Sequence, residues 1–243
     1  MGLFNHSRKS STEENVTVQE LKGDDLSTIT TSSSSLPTVV KTYTIHDNKS
    51  CGRKEHIQDI WDSNGQPAFR ARYKRPLMHP NEINLHHSST NSSSEEVLAT
   101  CRLHNWSENF FYHLGPNPDL TEKNLWPRVQ GSCLTMKAWK FTTPLSPSNS
   151  HQRSLEWRRT HDKSIGATRW GQRDHKLVDV ETGEVLGVFV YMCKAFGRSE
   201  AWGRVEIFCE VEEGTEVQAL IVLLGAQEAI RRSEMAAANG AGS

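Results

Sequence analysis

The sequence predicts an all-β dominated (α+β) fold: a closed antiparallel barrel of about twelve strands around a central apolar C-terminal helix, with a disordered N-terminal arm. Three observations carry this reading. From Val39 onward, short runs rich in β-branched and aromatic residues alternate with period two. The segment after Gly214 is apolar on every side. The residues before Val39 hold almost nothing from which a core could be built.

The arm, residues 1–38, is Ser/Thr-rich, with residues 28–35 nearly pure hydroxyl, and has almost no aromatic residues after Phe4. Such a segment cannot bury enough apolar area to offset its chain entropy, so disorder is expected. The same composition at residues 88–94 and 144–150 reads as long exposed loops. Met1 to Ser10 is too polar for a secretory signal. The Gly2 context misses the acylation pattern, since His6 stands where Ser or Thr is needed.

The barrel is expected over residues 39–233. Strand signals lie near residues 39, 57, 68, 82, 97, 109, 132, 153, 165, 175, 185 and 203. Val97, Ala99, Cys101 and Leu103 form one face of a strand, with Thr100, Arg102 and His104 on the other. Val205, Ile207, Cys209 and Val211 likewise alternate with Arg204, Glu206, Glu210 and Glu212. Asn64-Gly65 supplies the positive φ of a tight hairpin, and Thr182-Gly183 marks a second.

The helix is expected over residues 215–232, capped by Thr215 with Gln218, and residues 234–243 as a flexible tail. A helix without a wet face has to be enclosed. This one falls short of the roughly 18 apolar residues a bilayer span needs, so the preceding strands are the natural enclosure. Gly225, costly in mid helix by about 1 kcal/mol against Ala, implies close approach of a strand. Arg231-Arg232 should emerge at the barrel mouth and complement the helix end.

Composition narrows the function. Lys and Arg number 28 against 29 Asp and Glu, so the net charge of −1 disfavours a general polyanion binder, and no nucleic acid is expected. The five cysteines are odd in number and scattered without a CxxC pair, as reduced thiols in a cytoplasmic protein would be. Gly-x-Ser-x-Gly, GxxxxGK and HExxH are absent, so no catalytic residue, enzyme activity or cofactor is assigned. Adjacent His86 and His87 face opposite sides of a strand, and no metal site is assigned either.

The hairpin from Asp59 to Phe69, the run Leu155-Glu156-Trp157, the pair Leu177-Val178-Asp179 with Gly187-Val188-Phe189, and the end from Val217 to Arg232 resemble the tubby C-terminal-like superfamily. That superfamily includes the LURP-one-related and phospholipid scramblase-like domains, and the wording here is most similar to its fungal branch. The resemblance covers roughly residues 39–232. It implies a non-enzymatic domain, with phosphoinositide or membrane-surface binding known in the tubby branch and lipid movement proposed for the scramblase branch. This chain lacks the scramblases' Cys-rich segment, and no tubby-type binding residue can be carried over.

Charge alone suggests where an anion would bind. Arg158, Arg159, Lys163, Arg169, Arg173 and Lys176 cluster after Trp157 against only Asp162 and Asp174, with His161 and His175 able to add charge at mildly acidic pH, and Arg70, Arg72 and Lys74 share the outer face of one strand. Side by side, the two sets would make an anion-binding surface; the bland alternative is a solvated barrel exterior. Trp106 and Trp126 flank loop sequence and are candidates for exposure at a membrane interface. The expected protein is a cytoplasmic monomer, peripheral at membranes, binding anionic lipid or a protein partner. Its competitors are a lipocalin-like carrier of a small apolar ligand and a scramblase-related lipid function.

Overall fold

Alternation of apolar and polar side chains closes the barrel in the computed structural model, which describes residues 37–48, 55–74, 81–88, 96–104, 109–115, 126–132, 137–143, 152–168, 173–192 and 201–240. The expected arm up to residue 36, residues 89–94 and 144–150 of the expected long loops, Trp106 and Arg169 lie outside the described residues.

The strands are β1 (Lys41–Asn48), β2 (Glu55–Trp61), β3 (Pro67–Lys74), β4 (Asn81–His87), β5 (Val97–Leu103), β6 (Phe110–Leu114), β7 (Arg128–Gly131), β8 (Ala138–Thr142), β9 (Ser154–Arg159), β10 (His175–Asp179), β11 (Val185–Tyr191) and β12 (Ala201–Ile207), followed by α1 (Glu213–Gly240). Each strand pairs antiparallel with the next, and β1 pairs with β12, so the sheet has no edge. In β12 the pattern is strict: Ala201, Gly203, Val205 and Ile207 are buried while Trp202, Arg204 and Glu206 are half-buried.

The tight turns are built as their residues demand. Gly65 adopts φ 72° between β2 and β3, where the Asp62 carboxylate accepts from the amides of Asn64 (2.9 Å) and Gln66 (2.8 Å). Gly183, at φ 75°, turns the chain from β10 into β11, with Asp179 accepting from the Glu181 amide at 2.9 Å.

Eight strands leave room only for side chains, whereas twelve open an interior wide enough for a helix. α1 occupies it. Every residue from Glu216 to Ile230 is buried, against a lining that includes Ile45, Ile60, Leu85, Phe110, Trp157 and Phe189. A Cβ on Gly225 would lie 2.7 Å from the Phe110 ring and 2.8 Å from Cys101 Sγ, the close approach that the glycine implied.

The few polar groups along this axis are paired to the wall. Glu216 accepts from Tyr43 (2.5 Å) and from Lys41 (2.7 Å), and Trp157 Nε1 donates to the Ala219 carbonyl at 2.9 Å. Gln218 donates to Thr142 O at 2.5 Å and also meets the Tyr112 hydroxyl. The expected capping box with Thr215 is therefore not formed. The Gln218 Nε2 is taken by the wall, its Oε1 has no partner, and the helix starts earlier, at Glu213.

Three boundaries differ from the sequence expectation. The signal near residue 165 is a 3-10 turn, Lys163–Ile165, whose Asp162 side chain accepts from the Ser164 amide (2.9 Å). Its Ile165 and Ala167 cover Val188 and Val190 on the outside of β11, which explains an apolar run that is not a strand. The signal near 132 conceals two short strands, β7 and β8. The helix continues past Arg232 to Gly240, so residues 234–240 are helical, and Arg231 and Arg232 pair with Glu228 instead of the helix end.

Candidate functional site

β3 and β9 carry the two basic sets that the sequence singles out, and five strands separate them in either direction around the barrel. The single surface expected from both together does not form. On the β3 side, Arg70 pairs with Asp59 at 2.8 Å and Lys74 with Glu82 at 3.7 Å, while Arg72 lies between Ile57 and Asn84 in the register. Neighbouring carboxylates offset the charge of this face.

The β9 set divides. Arg158 is exposed on the outer face and held by Glu156 (Nε to Oε2 2.9 Å), and Lys163 is exposed in the 3-10 turn. Arg159, one residue on, shares the inner parity of Leu155 and Trp157 and stands opposite His175. Arg173 stacks over the Tyr191 ring at 4.7 Å and bonds Glu234 with both Nε and Nη2, tying the emerging end of α1 to the wall.

Register places Lys176 of the predicted cluster and supplies two neighbours that sequence reasoning missed, Lys140 and Arg128. Arg158 lies directly opposite Lys176 on β10, Glu156 opposite Lys140 on β8, and Gln130 of β7 opposite Lys140. Arg128, two residues before Gln130, shares that outer face. Neighbouring strands lie about 4.8 Å apart. Arg128, Lys140, Arg158, Lys176 and the adjoining Lys163 thus form one outward field, with Glu156 and Asp162 as the acids in it. Two hydrogen bonds from Ser164, and more weakly the nearby Lys176, hold the Asp162 carboxyl below its ordinary pKa. Arg158 facing Lys176 is a like-charge pair that pairing alone would not favour. Separating residues 128–131 from 138–142 in the sequence would have revealed Arg128 and Lys140 as outward positions.

The rim where α1 leaves the barrel is polar but enclosed. His175 is fully buried beside Trp139 (ring centroids 5.3 Å), and its Nδ1 is 2.7 Å from the Arg173 carbonyl. Burial, with help from Arg159, drives its pKa down to about 4, so the ring is neutral at pH 7. Gln227 Nε2 donates to the same carbonyl at 3.1 Å. At the opposite rim, burial and then the Glu216 carboxylate push the Tyr43 hydroxyl pKa upward.

Trp126, expected at the surface, is 7% exposed. The Arg102 guanidinium lies over it at 4.5 Å and His113 beside it at 5.6 Å, which removes it from any membrane-facing role. His86 is buried and His87 exposed, on opposite sides of β4. Among the described residues, no group of three or more His, Cys, Asp or Glu is placed to hold a metal. No helix among them is long and apolar enough to cross a membrane. No protein-family model matches the chain, and no curated protein is similar to it.

Proposed function

We propose that this chain is a non-enzymatic binding module of the tubby C-terminal-like kind, meeting anionic phospholipid surfaces through the outer face of β7–β10. The observation that carries the reading is the juxtaposition of Arg158 and Lys176 across β9 and β10, extended by Lys140 and Arg128. A cation near an anionic leaflet contributes about 1 kcal/mol, so four or five acting together hold a protein weakly and in a salt-sensitive way. The kinship rests on the architecture: a twelve-stranded antiparallel barrel with a buried C-terminal helix fits the superfamily that the local sequence resembles. The interior that a carrier of apolar ligands would need is occupied by α1, which argues for the surface reading over the lipocalin-like one. A protein partner bearing acidic residues would meet the same face, and the test separates the two.

Flotation with phosphatidylcholine vesicles, with and without a tenth of phosphoinositide, decides the matter. Recruitment by phosphoinositide at low salt, abolished at high salt and by the triple change Lys140→Glu, Arg158→Glu, Lys176→Glu, is the expected result. The pair Arg70→Glu and Lys74→Glu, on the far side, should leave recruitment unchanged. Equal flotation with both vesicle types, or none at low salt, would remove the lipid reading.

A further inference from the structure

The described residues enclose a pocket of about 250 Å³ at the rim where α1 leaves the barrel, far from being a lipid cavity in size. Three of its lining residues carry aromatic rings, Trp202, Tyr73 and His56. Trp202 of β12 is half-buried against Phe189 and Tyr191 (ring centroids 5.5 and 5.7 Å), and Tyr73 of β3 lies against the His56 ring at 5.0 Å. The remaining wall is polar, with Asp47 and Gln58 from the strands and Gln227, Glu228 and Arg231 from α1.

The donors of this wall point elsewhere. Gln58 Nε2 donates to Asp47 at 3.0 Å, and Tyr73 donates to Gln58 Oε1 at 2.6 Å. Arg231 spends Nε and Nη2 on Glu228, each at 2.7 Å, and Nη1 lies 2.8 Å from Met235 Sδ. Gln227 is 2% exposed, and its Nε2 is committed to the Arg173 carbonyl. Its Oε1 is buried without any hydrogen-bond partner. The same Nε2 lies 3.2 Å from His175 Nδ1, and the Gln227 side chain lines the pocket. A buried acceptor without a donor is destabilising, and a ligand carrying an N–H or O–H would satisfy it. Asp47 adds negative charge, with His56 Nε2 3.6 Å from it, while Glu228 is shared by Arg231 and Arg232. Aromatic faces attract a cation through their quadrupoles.

We propose that this pocket binds a small organic ammonium ion, its N–H donating to Gln227 Oε1, with Asp47 supplying the counter-charge and Trp202 and Tyr73 the aromatic faces. The chemistry is that of a protonated primary amine. It is independent of the lipid reading, because the pocket lies at the rim and the basic field lies on the outer wall of β7–β10.

Isothermal titration calorimetry of the full chain with n-butylammonium chloride tests the proposal, with n-butanol and D-xylose as neutral probes. Saturable binding of n-butylammonium in the millimolar range or tighter is expected, with no saturation by either neutral probe. Gln227→Leu should weaken it about tenfold or more. Asp47→Asn, a nearly isosteric change at the rim, should weaken it in the same direction and keeps the test decisive if Gln227→Leu does not fold. Lys140→Glu should leave it unchanged. Equal binding of n-butanol, saturation by D-xylose in place of the amine, absence of saturation by any probe, or undiminished binding by folded Gln227→Leu or Asp47→Asn would each overturn the assignment.

Discussion

At Gly225 the axis of the barrel and its wall come closest. Alanine there would gain about 1 kcal/mol of helix propensity, but its Cβ would stand 2.7 Å from the Phe110 ring and 2.8 Å from Cys101 Sγ. Overpacking of that kind costs about 1–3 kcal/mol. Gly225→Ala is therefore expected to lower stability by up to about 2 kcal/mol in urea denaturation, the reverse of what the same change does on an exposed helix. The glycine and its meaning were legible in the sequence; the identity of the two partners was not, because strand order alone places β5 and β6 beside that turn of α1. His175 gives a second test at this scale. Burial lowers its pKa from the ordinary value to about 4, so the unfolded chain takes up a proton that the folded one refuses. Its contribution is complete above about pH 6.5 and is lost as pH falls toward 4, by up to about 3 kcal/mol. Thermal melts at successive pH values should show this acid limb, and His175→Phe should flatten it. An unchanged limb would mean that other groups set the acid sensitivity.

Among the elements, α1 owes its position to being apolar on every side, and that signal is strong in a single sequence because no alternative burial is offered. Its ends were harder to read. The Arg231-Arg232 pair looked like a helix terminus, yet Glu228 takes both guanidinium groups and the helix runs on to Gly240. Gln218 looked like half of a capping box, but Thr142 and Tyr112 across the barrel compete for its amide, and no local pattern records a partner 76 or 106 residues away. Only part of the basic field, Arg158, Lys163 and Lys176, emerged for the same reason: which strands adjoin is a tertiary fact, and two short strands were hidden under one strand signal. Packing predicts a sharp asymmetry along α1. Leu223→Asp places a carboxylate where nothing can solvate it and should abolish the cooperative near-ultraviolet signal. Met235→Asp, on the exposed continuation, should stay within about 0.5 kcal/mol of the parent.

For the whole molecule, closure of the sheet and occupation of its interior are one event. Twelve strands without α1 would surround a space that water or collapse must fill, and α1 without the strands would expose an apolar cylinder. Folding is therefore expected to be a single cooperative transition for the barrel and helix, with α1 protected as deeply as the wall. The binding surfaces proposed above follow from that plan, since a filled axis leaves only the outer face and the rims for ligands. Native-state amide hydrogen exchange tests it most directly. Amides of residues 217–230 are expected to exchange only by global unfolding, in the same slowest class as those of β5 and β12, while those of residues 233–239 exchange far faster. Exchange of the 217–230 amides at rates near those of the exposed segment, with the strands still protected, would contradict the enclosed helix on which the account stands.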